Sequence, residues 1–258
     1  MTQKKIQHGT CRICGQNKEL SYEHVPPRVA LNKTTRHVSI PHEEWTKIED
    51  FLTYKPKGKI LQGGIGYYSL CRECNSFLGQ NYVKAYEKWV QSGIEVITNF
   101  KVDHFKYLAL NQEPLRILKQ IISMFIAMND AWYLTEYPDL VAFVKDPNSN
   151  LLPDKYRIFC YLNNKGQYRY IKHSVISTSE LGIINATELT FPPFGYVLTF
   201  DVNHDIYPFS NITYFKNYKH GQILDLDISI YKLPTYLPFV PLDYRTKAKI
   251  GADNKASR

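Results

Sequence analysis

Long hydrophobic runs are missing from this chain: nowhere in its 258 residues do about eighteen uncharged apolar residues follow one another, so no membrane-spanning helix is expected. The stretch 1–9 is polar and basic with no apolar core, unlike a secretory leader, and the expectation is a cytoplasmic protein without membrane association. Repeats of fixed period and low-complexity tracts are also lacking, which argues against solenoids and disordered arrays. Cysteine is scarce and odd in number at 5, a poor basis for a disulfide framework in a chain with no export signal. What is there is ordinary for a globular protein, 44% hydrophobic and 22% charged, and long enough for one large domain or two small ones.

The charge is uneven. Residues 1–92 hold 14 Lys and Arg against 8 Asp and Glu, a surplus of 6 out of the chain's net +8. A basic surface attracts polyanions and gains entropy by releasing their counterions, so the first third is the place to look for a phosphate-bearing partner.

Four of the five cysteines fall there as two Cys-x-x-Cys pairs, Cys11 with Cys14 and Cys71 with Cys74. Gly15 after the first pair suits a tight turn whose amides stabilise thiolates. Two such pairs supply the four soft ligands of a closed tetrahedral zinc site, which has no open position and is therefore structural. Redox dithiols or unrelated buried thiols are the alternative, without the strand and helix context of a thioredoxin motif nearby. Cys160, inside the apolar run 158–161, reads as a buried thiol.

Between the pairs stands Ser21-Tyr22-Glu23-His24-Val25-Pro26-Pro27-Arg28, a carboxylate and an imidazole adjacent at the end of a short strand, and the second pair runs directly into Asn75 with Leu78-Gly79 soon after. Over 11–90 this combination resembles the HNH endonuclease family. The resemblance implies a ββα-metal module stapled by the four-cysteine zinc site, with His24 as general base on the attacking water and Glu23 and Asn75 holding Mg2+ or Mn2+. Hydrolysing a phosphodiester needs both a water deprotonated near neutral pH and a cation on the scissile phosphate, which a neutral imidazole and an oxygen-ligated ion supply. An Asn often found shortly before the second cysteine pair, where it positions the loop, is replaced here by Gly66-Tyr67-Tyr68-Ser69-Leu70. For His24 the plainer reading is a surface histidine, and for Asn75 a helix cap. Arg28 and Arg72 are the nearest cations for phosphates, or else solvated surface residues. His8, His37 and His42 lack supporting partner spacing.

The expected fold is α+β: residues 1–92 form the metal-nuclease module, and 93–258 form a mixed helix and sheet domain with an antiparallel sheet. A long loop or hairpin insertion is expected over 30–66, a helix near 76–90 and a core helix over Glu113–Asn129, with Pro114 in its first turn. Strand patterns cover Tyr156–Leu162, Tyr168–Lys172, Gly195–Asp201 and Ile223–Tyr231, with 163–166 reading as a hairpin turn between the first two. Phe191-Pro192-Pro193-Phe194 reads as a rigid turn, and 247–258 as a frayed basic tail. Tyr168, Tyr170, Tyr196 and Tyr214 are either base-stacking residues or half-buried sheet residues.

By resemblance the function is metal-dependent hydrolysis of DNA, RNA being the other substrate, in the manner of restriction or antiphage defence effectors. A zinc-ribbon nucleic-acid-binding module without catalysis, and a ribonuclease or toxin using the same metal centre, are the alternatives. Cutting both strands of a duplex is most simply done by a two-fold homodimer.

Overall fold

The computed structural model describes residues 6–40, 44, 47, 57–178, 182–202 and 204–256. Two short strands, β1 (Gln7–Thr10) and β2 (Asn17–His24), form an antiparallel hairpin across the first cysteine pair. Its turn closes through Gly15 at φ +74°, and the Gly15 N–H donates to the Cys11 carbonyl at 2.8 Å. After a wide helical turn at Arg28–Asn32, a second hairpin pairs β3 (His37–Ser39) with β4 (Lys59–Leu61). This agrees with the expected insertion; most of 41–56, including His42, lies outside the described residues.

The chain then returns as β5 (Gly66–Cys71), antiparallel to β2, giving a three-stranded sheet in the order β1-β2-β5. A helix starts at once: α1 (Arg72–Leu78), a wide turn at Gly79–Val83, then α2 (Lys84–Asn99). Along α2, Ala85, Tyr86, Trp89, Val90, Gly93 and Val96 recur at helical spacing and are buried. Residue 92 lies inside α2, and one buried cluster continues from Cys11 through Trp89 to Ile230.

At its centre is α3 (Pro114–Met128), the core helix expected from periodicity, buried on all sides. Its one lysine, Lys119, is fully buried and donates to the Phe143 and Asp146 carbonyls. Two short helices follow, α4 (Tyr133–Glu136) and α5 (Pro138–Lys145). On one flank β6 (His104–Gln112) pairs with β12 (Leu224–Tyr231), facing the core with Phe105, Tyr107 and Ala109 from one strand and Leu226, Ile228 and Ile230 from the other.

The larger sheet is antiparallel and five-stranded, in the order β11-β7-β10-β9-β8, from β7 (Tyr156–Leu162), β8 (Arg169–Thr178), β9 (Gly182–Phe191), β10 (Phe194–Phe200) and β11 (Ser210–Asn211). The expected turn between β9 and β10 is present, but the expected hairpin between β7 and β8 is not. β7 pairs with β10 and β11, and among the described residues β8 pairs only with β9. The segment 163–167 turns away because its polar groups are taken by another part of the chain: Asn163 donates to the Leu233 carbonyl at 2.8 Å, and Gly166, at φ +111°, lies against the Thr235 backbone. Residues 247–256 are helical (α6, Lys247–Ala256) rather than frayed, anchored by an Arg245–Asp253 ion pair at 2.7 Å.

Of the four candidate stacking tyrosines, Tyr170 donates to the Val25 carbonyl at 2.7 Å and Tyr196 is buried, its hydroxyl accepting from the Trp89 indole at 3.0 Å. Both are therefore packing residues. Tyr168 lies stacked on Phe191, and Tyr214 sits edge-on to Phe215. Among the described residues no helix is long and apolar enough to cross a membrane.

Candidate metal centre and the His24 site

The turn after β1 and the junction of β5 with α1 bring Cys11, Cys14, Cys71 and Cys74 together, with their sulfurs all within 4.8 Å of one another. Cys14 and Cys71 Sγ are 3.9 Å apart, close to the ~3.8 Å edge of a tetrahedron with zinc–sulfur bonds of about 2.3 Å. Burial and the neighbouring thiols push the Cys74 thiol well up, so its thiolate form needs a nearby cation. Donor set and spacing both fit structural zinc. Cys160 is fully buried in β7, away from this group.

Next to the cluster, β2 divides its side chains between its two faces. Ser21 and Glu23 turn toward α1, where the Asn75 amide donates to Ser21 Oγ at 3.0 Å and hydrogen-bonds the Glu23 carboxyl. Glu23 is only 8% exposed, and burial pushes its pKa up to about 8, with the Asn75 bond acting in the opposite sense. Asn75 lies inside α1, three residues past its first position and four past the Cys71 cap, so the helix-cap reading is withdrawn.

On the other face of β2, His24 Nε2 meets the Gly63 carbonyl at 3.1 Å. A carbonyl can only accept, so the ring carries its proton on Nε2 and leaves Nδ1 as a lone-pair acceptor. Burial lowers the His24 pKa, the Gly63 hydrogen bond opposes it and the charge of Arg28 adds to it, with a net shift toward the neutral imidazole. The carbonyl can turn this way because Gly63 and Gly64 both sit at φ +97°; a side chain at Gly64 would run into the Asn32 carbonyl and the His24 ring.

One residue that sequence reading missed holds this loop. Asn32 is fully buried, donates to the Pro26 and Ile65 carbonyls at 2.7 Å each, and accepts from the Ile65 N–H at 2.8 Å. It ties the segment after His24 to the segment carrying Gly63. Nothing in its spacing announces it, because Ile65, which both accepts from it and donates to it, arrives only through the β3–β4 insertion. Tyr22 and Tyr68 were also missed: they face each other across β2 and β5, and the Tyr22 ring stands edge-on to His24 at 5.0 Å.

Arg28 and Arg72 are both exposed. Arg72 borders a groove of about 570 Å³ with Lys18, Tyr22 and Tyr68. His8 is exposed on β1 and His37 lies on β3, neither in the four-cysteine cluster. Comparison with family models, with curated proteins and with solved structures found no match to this chain.

Proposed function

We propose that the chain is a metal-dependent endonuclease of the HNH type, acting on DNA, with a structural zinc at Cys11, Cys14, Cys71 and Cys74. The observation that carries this reading is the end of β2, where His24, fixed in tautomer by the Gly63 carbonyl, directly follows the buried Glu23 carboxyl that meets Asn75 on the opposite face of the strand. A buried carboxyl hydrogen-bonded to a neutral amide is costly when ionised, and a bound cation removes that cost.

Glu23 and Asn75 would hold a hard divalent ion, magnesium or manganese, through oxygen ligands, leaving its remaining positions to water and phosphate. When bound, such an ion supplies positive charge to the scissile phosphate and the leaving oxygen. His24 Nδ1 accepts the proton of the attacking water; the new oxygen–phosphorus bond forms as the bond to the 3′ or 5′ oxygen breaks, and the leaving oxygen takes a proton from solvent. Nε2–H stays on the Gly63 carbonyl throughout, which holds the ring as Nδ1 becomes protonated. Arg28, exposed beside His24, offers a cation to the flanking phosphate.

The test is plasmid cleavage with magnesium or manganese by the wild type and by His24→Ala, both verified to carry one zinc per chain. A loss of about 100-fold or more in the variant is expected, as for removal of a general base. Equal cleavage by the two proteins would remove His24 from the mechanism, and a zinc-loaded wild type that binds DNA without cutting it would favour the non-catalytic zinc-ribbon reading.

A further inference from the structure

The groove lined by Tyr22 and Tyr68 has a chemistry that phosphodiester hydrolysis does not require. Tyr22 and Tyr68 are direct cross-strand partners whose rings lie 5.2 Å apart at 68°, and the Tyr22 ring also stands edge-on to His24. Two rings inclined in this way make a corner: a flat π system stacked on one of them turns its edge toward the other. Tyr22 is held in that pose by its hydroxyl, which donates to the Gly64 carbonyl at 3.2 Å, and it remains 36% exposed.

The rest of the groove mixes apolar residues, Ile6 and Leu20, with charged ones whose signs balance. Lys18 and Arg72 border it, as do Glu19 and Glu73, and Lys18 pairs with Glu73 at 3.5 Å in an exposed, exchangeable contact. With its charges offset, the groove gains little from attracting phosphates alone, and the aromatic corner is its distinguishing feature.

We propose that this corner is a nucleobase site: it takes one unpaired base of the nucleotide next to the bond presented to His24, so that single-stranded or locally melted nucleic acid is the preferred substrate. The inference rests on the nuclease reading for the position of the scissile bond. Bases inside a duplex have both faces covered by their neighbours, and only an unpaired base can offer a face to a tyrosine. The Tyr22–His24 contact sets the base site directly against the base catalyst, as needed if the two serve one nucleotide.

Binding is measured with the full zinc-loaded chain in buffer without added divalent ion, so that no strand is cut. The probes are a short fluorescent oligothymidylate and a duplex of equal length. Wild type is expected to bind the single strand more tightly. Tyr68→Leu is expected to weaken that binding by about tenfold, in line with the loss of one base–aromatic stack, with duplex binding unchanged. Tyr68→Phe, which keeps the ring, retains it. Zinc content and melting temperature matching wild type verify the fold of each variant. A wild-type preference for duplex overturns the proposal, as does a folded Tyr68→Leu that binds single strands as wild type does. The two ideas fail separately: His24-dependent cleavage without any effect of Tyr68 removes only the base site, whereas Tyr68-dependent binding by a chain that cuts nothing removes only the nuclease.

Discussion

Glu23 shows how a single side chain can oppose the stability of the fold that holds it. Its carboxyl is raised from an ordinary 4.5 to about 8 by burial, so between those values the folded chain holds a proton that the unfolded chain has released. The stability contributed by the protonated form is complete below the unfolded pKa and is lost as pH rises through about 8. The isosteric Glu23→Gln has no such proton to lose. In denaturant titrations without added magnesium, wild type should lose about 1–3 kcal/mol relative to Glu23→Gln between mildly acid and mildly alkaline pH, and the variant should cut nothing. Parallel stability profiles for the two proteins would mean that Glu23 is ionised and paired in the free protein. The sequence placed Glu23 beside His24, but its burial depends on α1 packing over the strand, which no local pattern expresses.

Among the elements, the loop between β2 and β5 carries most of the precision of the site. Asn32 satisfies three backbone groups of two separate segments, and its removal takes this partner from the Pro26 carbonyl and the Ile65 N–H, while the Ile65 carbonyl keeps the Val25 N–H. Asn32→Ala should therefore cost about 3 kcal/mol of stability. Hydrogen exchange offers a local check: the Ile65 amide, protected by Asn32 Oδ1 in wild type, should exchange far faster in the variant. If that amide stays protected, the loop is held by something else. Cleavage should fall with it, since the Gly63 carbonyl that orients His24 is two residues away. Elements with a strong internal period were legible beforehand: α3 from its apolar spacing and β12 from its alternation. β6 and β9 were not recognised, and β7 and β8 were assigned to each other wrongly, because strand pairing depends on distant segments such as 233–235 that compete for the same backbone groups.

At the scale of the whole molecule, the four-cysteine region and the rest share one interior. Arg12, between the first two cysteines, donates to the Ala127 carbonyl in the last turn of α3, Tyr82 donates to the Val144 carbonyl, and Trp89 stacks on Phe194 at 4.6 Å. Unfolding of the zinc-loaded chain is expected to be one cooperative calorimetric transition. A fragment of residues 1–92 would expose Tyr82, Tyr86 and Trp89, all buried in the intact chain, and should show no cooperative melting even with zinc. A sharp, zinc-dependent melt of that fragment would show instead that the first third folds alone.

The sequence by itself determined the parts of this protein written in short spacings: two Cys-x-x-Cys pairs that converge as four ligands, the placement of Glu23 beside His24, and the helical and alternating periods of α3 and β12. These are legible because a metal site and a repeating secondary structure constrain residues a few positions apart. Only the tertiary structure decided that Asn32 holds the His24 loop, that Gly63 sets the imidazole tautomer, that Tyr22 and Tyr68 make a corner, and that one core crosses residue 92. Each of these joins groups far apart in the chain, and their meeting is set by packing and by the pairing of buried backbone groups.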